Sequence, residues 1–575
     1  MEKLKRNKII FYIVIIIVAM ILNIPLISSG IDTGHDGDFH ISRTIGTIEQ
    51  IQNRESPFII SRYSNNLGFA WNLFYPPIST LINIFFATMT NNVVIAMKLF
   101  IFCTFLFSGI FMFQFVSKLA KNKKVALIAS CIYMCAPYRM LNAYMRVAVG
   151  EMLSFVFIPL IFLGIFKILN KETKTGFIFV IGTIGLVLSH NISTMIVFII
   201  CCVYLLVNIK KLKDKEILKN FIVSGIIIAL AVICFEIPLI EQKMSCEYEV
   251  FRYGKMYSND SVQYHALNPL QLLYRNAPGP DDSMFFCIGI LILIGLILTP
   301  FVKVKDEIKS NYKFFLILGI VTTIMATFLF PWIVMPDILL MIQFPWRLLV
   351  IVVFSFSIIS AINICTFIDE NCKNLKKAKL VEKLILSSFI ILGCIYAFSF
   401  IMNLKLEDKN NEFYKEEEII DTTNQVSRYS SFLEYWPQKA IDSMDYIVNR
   451  DDKVAVISGK LTIENDTKEN GVLNFDFSNA EENTSLELPY LFYKGYEVKY
   501  IPEGSTEQID LEVYETDKGL VGVDISKEMK GHIQAEYHIT SLHKTCLIIS
   551  LITIIGYMIY VVYLKIKKIG DNSGN

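Results

Sequence analysis

What this chain lacks narrows it first. Charged side chains make up only 19% of its 575 residues and mean hydropathy is +0.49, where an ordinary soluble domain carries about a quarter charged residues. A soluble chain of this length would divide into several domains with charged surfaces, so most of this one is expected in a membrane. Neither charge sign is in excess: 54 Lys and Arg against 53 Asp and Glu give a formal net charge of +1. That balance excludes a strongly basic nucleic-acid binder, so no nucleic acid is expected among the partners. The 12 cysteines form no framework, since most sit in apolar runs (Cys131, Cys201, Cys202, Cys287, Cys394) and none falls between Phe400 and Cys546. Zinc-ligand spacing and an extracellular disulfide set are both missing, which leaves cysteine as a small helix-packing residue. Ser-His-Asp, phosphate-loop and glycine-rich dinucleotide patterns do not occur in a credible context either.

What is there is a series of long apolar runs. Met1 to Lys8 is rich in Lys and Arg, and Ile9 to Ile27 is long enough to cross a bilayer. A signal peptide cleaved near Ser28-Ser29-Gly30 is the competing reading, but the apolar core exceeds a usual signal sequence, which favours an uncleaved first helix. Positive residues concentrate in cytoplasmic loops, and one arrangement puts every lysine-rich connection inside: Lys118 to Lys124, Lys171 to Lys174, Lys210 to Lys219, Lys303 to Lys313, Lys373 to Lys383 and Lys565 to Lys568. It requires about twelve spanning helices with both termini cytoplasmic, and treats Ile78 to Met89 as an interfacial or re-entrant helix.

The expected organisation is a transmembrane domain over 1–403, whose first external loop, 31–92, carries interfacial helices. An extracytoplasmic β-rich domain over 404–543 follows, then a last transmembrane helix and cytoplasmic tail over 544–575. Within the loop, Ile41, Ile45, Ile48 and Ile51 recur at helical spacing behind Asp38, a good N-cap, predicting a helix on the outer membrane surface. Strand-like alternation in Val454 to Glu464, Leu473 to Phe477, Tyr496 to Tyr500, Ile509 to Tyr514 and Ile533 to Tyr537 predicts a small β-sandwich.

With the topology fixed by lysines alone, nearly every polar cluster near the membrane falls on the outer face. Gly34-His35-Asp36-Gly37-Asp38-Phe39-His40 follows the first span directly. In an extended chain Asp36 and Asp38 share a face and can meet one ligand or one cation, whereas on a helix they diverge; the competing reading is a helix cap beside a solvated loop charge. His40 and Arg43 continue this stretch as candidate substrate or phosphate contacts. A second external turn holds Tyr138, Arg139, Arg146 and Glu151. Arginines beside tyrosines can grip a phosphate bidentately, or can simply anchor helix ends at the interface. His190 sits between two apolar runs with almost no loop, where it can donate to a phosphate or satisfy a tight turn. Arg347, in Gln343-Phe344-Pro345-Trp346-Arg347, opens an apolar span and must either snorkel outward or face a polar cavity.

These features carry a resemblance. The first span, the acidic external loop, the interfacial helix and Tyr75-Pro76-Pro77 resemble the GT-C superfamily of polytopic membrane glycosyltransferases. More closely, His35 to His40, Ala136-Pro137-Tyr138-Arg139 with Tyr144-Met145-Arg146 and Glu151, Leu188-Ser189-His190, and Phe344-Pro345-Trp346-Arg347 are similar to the bacterial membrane proteins called 6-pyruvoyl-tetrahydropterin synthase related, which overlap the YfhO-like family. That label does not predict pterin chemistry. Glu434-Tyr435-Trp436-Pro437, Leu488-Pro489-Tyr490 and Lys494-Gly495-Tyr496 also look YfhO-like.

The GT-C resemblance implies a polytopic α-helical, GT-C-like fold. It also implies transfer of a sugar from a polyprenyl-phosphate donor to an extracytoplasmic glycan, lipid or protein acceptor, with the carboxylate of Asp36, and after it Asp38, as catalytic base or metal-linked acid. The usual Asp-Glu pair is Asp-Gly-Asp here, which leaves open whether a divalent cation, Mg or Mn, sits on Asp36 and Asp38. The alternative from another class is a non-catalytic membrane factor or flippase for lipid-linked glycans on the same scaffold.

Overall fold

Apolar helix length sets the framework. The computed structural model describes residues 2–27, 30–252, 258–274, 277–281, 284–371, 375–407, 433–480 and 483–573. Ser28 and Ser29 of the candidate cleavage site, and 408–432 at the start of the expected β-rich domain, lie outside the described residues. The first helix, Glu2–Leu22, ends sooner than its apolar run, and Ile24–Leu26 follows as one 3-10 turn.

Among the described residues seven helices are long and apolar enough to cross a membrane: Val93–Leu119, Val149–Leu169, Lys215–Ser245, Asp306–Met325, Pro345–Asn371, Lys379–Asn403 and Ser541–Lys567. An eighth crossing results if Lys123–Met134 and Pro137–Tyr144 form one span, bent by 44°. The bend falls where Pro137, which has no N–H to donate, opens the second piece. Ile9–Leu22, Ile78–Thr90, Phe177–Val187, Asn191–Val207 and Ile290–Phe301 are apolar but shorter. The expectation of about twelve crossings counted most of these short runs, so length and composition support seven or eight. Pro345–Asn371 is buried along its length and Val149–Leu169 nearly so, while the other five crossing helices turn much of their surface outward. These two form the centre of the bundle.

Ion pairs gather the lysine-rich connections at one end of the bundle. Lys118 meets Glu172 at 2.6 Å, Lys121 meets Glu307 at 2.9 Å, Lys171 meets Asp214 at 2.6 Å, and Lys124 pairs with Glu382. Connections distant in sequence thus share one face, as the charge pattern requires.

At the other end, the helix predicted on the membrane surface is Gly37–Gln52, and it is buried instead. Ile41 and Ile45 pack into the bundle core, Phe39 packs into a second core, and His40, Arg43, Thr44, Thr47 and Gln50 are buried as well. Only Ile51 among its isoleucines stands well exposed. The N-cap position belongs to Asp36, without a side-chain cap bond, and Asp38 falls in the first turn. The cap predicted for Asp38 is therefore corrected.

The second core joins the loop 31–92 to a β-sandwich. Strands β1 (Ala455–Ser458), β4 (Thr484–Leu491), β8 (Leu520–Ile525) and β7 (Val513–Glu515) form one sheet in the order β1-β4-β8-β7. The facing sheet runs β2-β3-β9-β5-β6, from β2 (Thr462–Glu469), β3 (Val472–Ser478), β9 (Gly531–Tyr537), β5 (Tyr496–Pro502) and β6 (Ile509–Leu511). All pairings are antiparallel. The five predicted runs correspond to β1 and β2, β3, β5, β6 and β7, and β9. Strand β4 carried no alternation signal because it is buried on both faces past Ser485, and β8 because only Asp524 interrupts its buried run.

Leu486, Val523, Phe475 and Ile533 from the sandwich share their core with Ile60, Phe69, Trp71 and Phe74 from the loop. Phe74 stacks on Tyr435 at 5.3 Å, and Tyr248 on Tyr493 at 5.9 Å. Main-chain contacts fasten the same seam, with Leu491 N donating to Leu67 O at 2.9 Å and Gln438 N to Glu247 O at 2.7 Å. The stretch before the sandwich is thereby held over the end of the helical bundle.

Candidate functional site

Four helix beginnings converge at the end opposite the lysines. Asp36 is the N-cap of Gly37–Gln52, Glu151 lies in the first turn of Val149–Leu169, His190 caps Asn191–Val207, and Arg347 lies in the 3-10 turn that runs into Leu349–Asn371. Helix N-termini present unpaired N–H groups and the positive end of the helix dipole, so their convergence favours an anion. Between them is a cavity of about 590 Å³.

The loop carrying Asp36 is locked to the turn carrying Arg146. His35 N donates to Met145 O at 3.0 Å and Asp36 N to Arg146 O at 2.8 Å. Gly34 makes this approach possible: its φ is +56°, and a Cβ there would lie 2.2 Å from Met145 O. Arg146 is the hub. Its Nη1 donates to Glu151 Oε2 and Asn142 Oδ1, each at 2.6 Å, its Nη2 lies 3.4 Å from Asp36 Oδ2, and its guanidinium rests 4.6 Å over the Trp346 ring. Glu151 is fully engaged, receiving Tyr138 OH and, at 3.4 Å, Asn142 Nδ2 on its other oxygen. The Asp36 carboxylate is 40% exposed where Glu151 is 2% exposed, so Asp36 is the acid open to a ligand.

His190 accepts from Ser193 N through Nδ1 at 3.3 Å, which assigns the proton to Nε2. Burial, with Arg347 beside it, pulls its pKa down to about 3, so the ring stays neutral and serves as a donor. Burial and the nearby Arg43 and His190 likewise hold His40 well below the usual imidazole range. Arg347 donates to Ile342 O at 3.2 Å and to Gln343 Oε1, and lies over the Phe344 ring at 5.1 Å.

The cavity therefore brings together Asp36, His40, Arg146, Glu151, His190 and Arg347 from the sequence-derived set. The other four stand elsewhere. Arg43 is buried and answered by Asn72 Oδ1 at 2.6 Å, Tyr75 O at 2.7 Å and Pro76 O at 3.3 Å, so it braces the Tyr75-Pro76-Pro77 turn. Tyr138 acts through Glu151 from behind the cavity wall. Arg139 points into the bundle, donating to Thr104 Oγ1 at 2.7 Å between Phe105 and Phe155, with Nε and Nη1 unpartnered. Asp38 turns away from Asp36 toward Thr33, and burial raises its carboxyl. Asp36 lines the cavity and Asp38 does not. Among the described residues no group of three or more His, Cys, Asp or Glu side chains is placed to hold a metal.

Sequence reasoning missed His265, Asp281, Trp346 and Glu434 as cavity residues. Asp281 Oδ2 meets His265 Nδ1 at 2.9 Å and accepts from Trp346 Nε1 at 3.1 Å, fixing the indole beneath Arg146. Glu434 arrives from the stretch before the sandwich, where burial pushes its carboxyl up and Arg347 opposes that shift. Its motif and that of Trp346 were visible in the sequence, but His265 and Asp281 carried no signal.

The model of the 6-pyruvoyl-tetrahydropterin synthase related domain, described as a membrane protein, matches residues 73–401, more than half of the chain. The chain belongs to this family. The match covers Arg146, Glu151, His190 and Arg347, and leaves Asp36 and Glu434 on either side of it. An uncharacterized protein of Lactococcus lactis subsp. cremoris strain MG1363 is 22% identical over 617 aligned positions, covering 98% of this chain and 96% of that protein. The likeness to that protein thus extends through the loop 31–92 and the sandwich.

Proposed function

We propose that this membrane protein transfers a sugar from a polyprenyl-phosphate donor to a glycan, lipid or protein acceptor at the extracytoplasmic face of the plasma membrane, in a GT-C-like manner. The observation that carries this reading is one cavity holding an accessible carboxylate, Asp36, together with Arg146, Arg347 and converging helix N-termini. Asp36 would take the proton from the acceptor hydroxyl as its oxygen bonds to the anomeric carbon. The bond from that carbon to the phosphate oxygen breaks, and the phosphate leaves with the electron pair. Arg347, the N–H groups at the helix ends and His190 Nε2–H would stabilise that charge in a site partly closed to water. Glu434, across the cavity, would orient the acceptor.

A specific observation favours the second reading, a non-catalytic handler or flippase of lipid-linked glycans. The Arg146 charge is already met by Glu151 at 2.6 Å and Asp36 at 3.4 Å, an arrangement that holds a structure together without any reaction. The deciding experiment compares lipid-linked sugars in a deletion strain complemented with wild type or with Asp36→Asn. If Asp36→Asn restores wild-type transfer at equal membrane abundance, the catalytic assignment fails and the handler stands.

A further inference from the structure

Two connections beside the cavity carry a surface that water would not favour. The first, 258–274, follows the helix Lys215–Ser245, and the second, 326–344, joins two crossing helices directly, with Ala326 next to Met325 and Phe344 next to Pro345. The second stretch contains no Lys or Arg and Asp337 is its one acid, while Lys255 and Arg275 flank the first stretch. The exposed side chains are large and apolar. Leu329 is 61% exposed, Val334 70% and Ile338 63% on the second stretch, with Leu273 58% and Tyr274 62% on the first.

This surface is built and not merely loose. Asn259 Nδ2 donates to Trp332 O at 2.9 Å and to Met335 O at 2.8 Å. Leu267 N donates to Ala326 O and Phe328 N to Leu267 O, each at 3.0 Å, and Trp332 is buried with its Nε1 donating to Met325 O at 2.8 Å. A fastened unit with its apolar side chains turned outward needs an apolar surrounding, since contiguous patches of this kind are rare on water-facing surfaces.

We propose that these paired connections form a lip inserted into the leaflet at the cavity end, with lipid acyl chains as its partner. The covalent continuity with two crossing helices sets the depth, because the second connection leaves and re-enters the bundle at the ends of membrane spans. The absence of Lys and Arg from 326–344 argues for insertion of the second connection by apolar area and not by attraction to anionic headgroups. Exposed Tyr264 and Tyr274 suit the headgroup boundary, where amphipathic rings concentrate. The inner side of the same lip supplies His265, Met341, Gln343 and Phe344 to the cavity wall. One element thus has hydrocarbon on one side and the polar cavity on the other. This holds whether or not the cavity transfers sugar.

Depth measurement tests it without reference to activity. The full-length protein would carry an environment-sensitive fluorescent amino acid at Val334, Leu329 or Leu273, or at Ile457 on β1 as the control, in phosphatidylcholine nanodiscs. Quenching by doxyl-labelled phosphatidylcholine is compared with quenching by aqueous iodide. The expected result is blue-shifted emission at the three lip positions, strongly lost to the lipid quencher and resistant to iodide, with the reverse at Ile457. Iodide quenching at the lip positions equal to that at Ile457 would place the lip in water and overturn the proposal. Protection from both quenchers would mean that protein, such as a second copy, covers it, and overturns the proposal equally.

Discussion

Ion pairs hold both ends of the helical bundle, but in opposite surroundings. At the lysine-rich end the partners are half in water: the Lys118 and Glu172 side chains are 48% and 33% exposed. At the cavity end Arg146 and Glu151 are 7% and 2% exposed, and both are wrapped by further donors and acceptors. Exposed pairs gain little beyond what hydration already supplied, whereas a buried pair cannot lose one member without leaving a charge stranded. The lysine end can therefore lose one partner at little cost, and the cavity end cannot.

The largest effect expected is at the cavity. Asp36→Asn keeps the shape of the side chain but removes the base, and should lower sugar transfer by about 10²- to 10⁴-fold at unchanged membrane abundance, read as product formed per unit of protein. Glu151→Gln should act on the fold and not on a chemical step. Leaving Arg146 with Asp36, at 3.4 Å, as its remaining carboxylate should cost about 3 kcal/mol, seen as a lower midpoint of thermal unfolding in detergent, while a double replacement of Arg146 and Glu151 by apolar residues should cost less than Glu151→Gln alone.

Acid should separate the two ends further. The folded pKa of His190 is pulled from 6.5 to about 3, so an unfolded chain takes up a proton below about 6.5 that the folded one refuses. Stability is thus lost as pH falls from 6.5 toward 3 and is untouched above that window, and His40 shifts in the same direction. Unfolding midpoints between pH 7.5 and 4 should fall less steeply for His190→Gln than for wild type. At the lysine end Lys118→Ala should change stability by less than about 1 kcal/mol, and by less again in high salt. A cost there as large as that of Glu151→Gln would break the contrast between the two ends.

The lysine pattern and the apolar runs located the polar cavity at the right end of the bundle, and six of the ten candidate residues line it. The two arginines of the second turn show why the others do not. Arg139 and Arg146 are seven residues apart, which would place both on one face of an unbroken helix. The helix ends at Tyr144, before Arg146, so the two are not carried on one helical face: Arg139 points into the bundle and Arg146 into the cavity. Asp36 and Asp38 part at the start of a helix, which begins at Gly37, two residues earlier than an Asp38 cap would set it, so that Asp36 holds the N-cap position and Asp38 falls in the first turn.

Composition and charge order by themselves determined that this chain is a membrane protein, that its lysines lie together at one end, and that His35 to His40 belongs to the other. These are properties of transfer from water to lipid, which each segment settles largely alone. Tertiary structure alone decided which carboxylate stays open, which arginine meets it, and that Glu434 crosses from the approach to the sandwich to join them. The reason is that burial and partnership, which set the state of a charged group, depend on segments as far apart in sequence as Asp36, Arg146, Arg347 and Glu434.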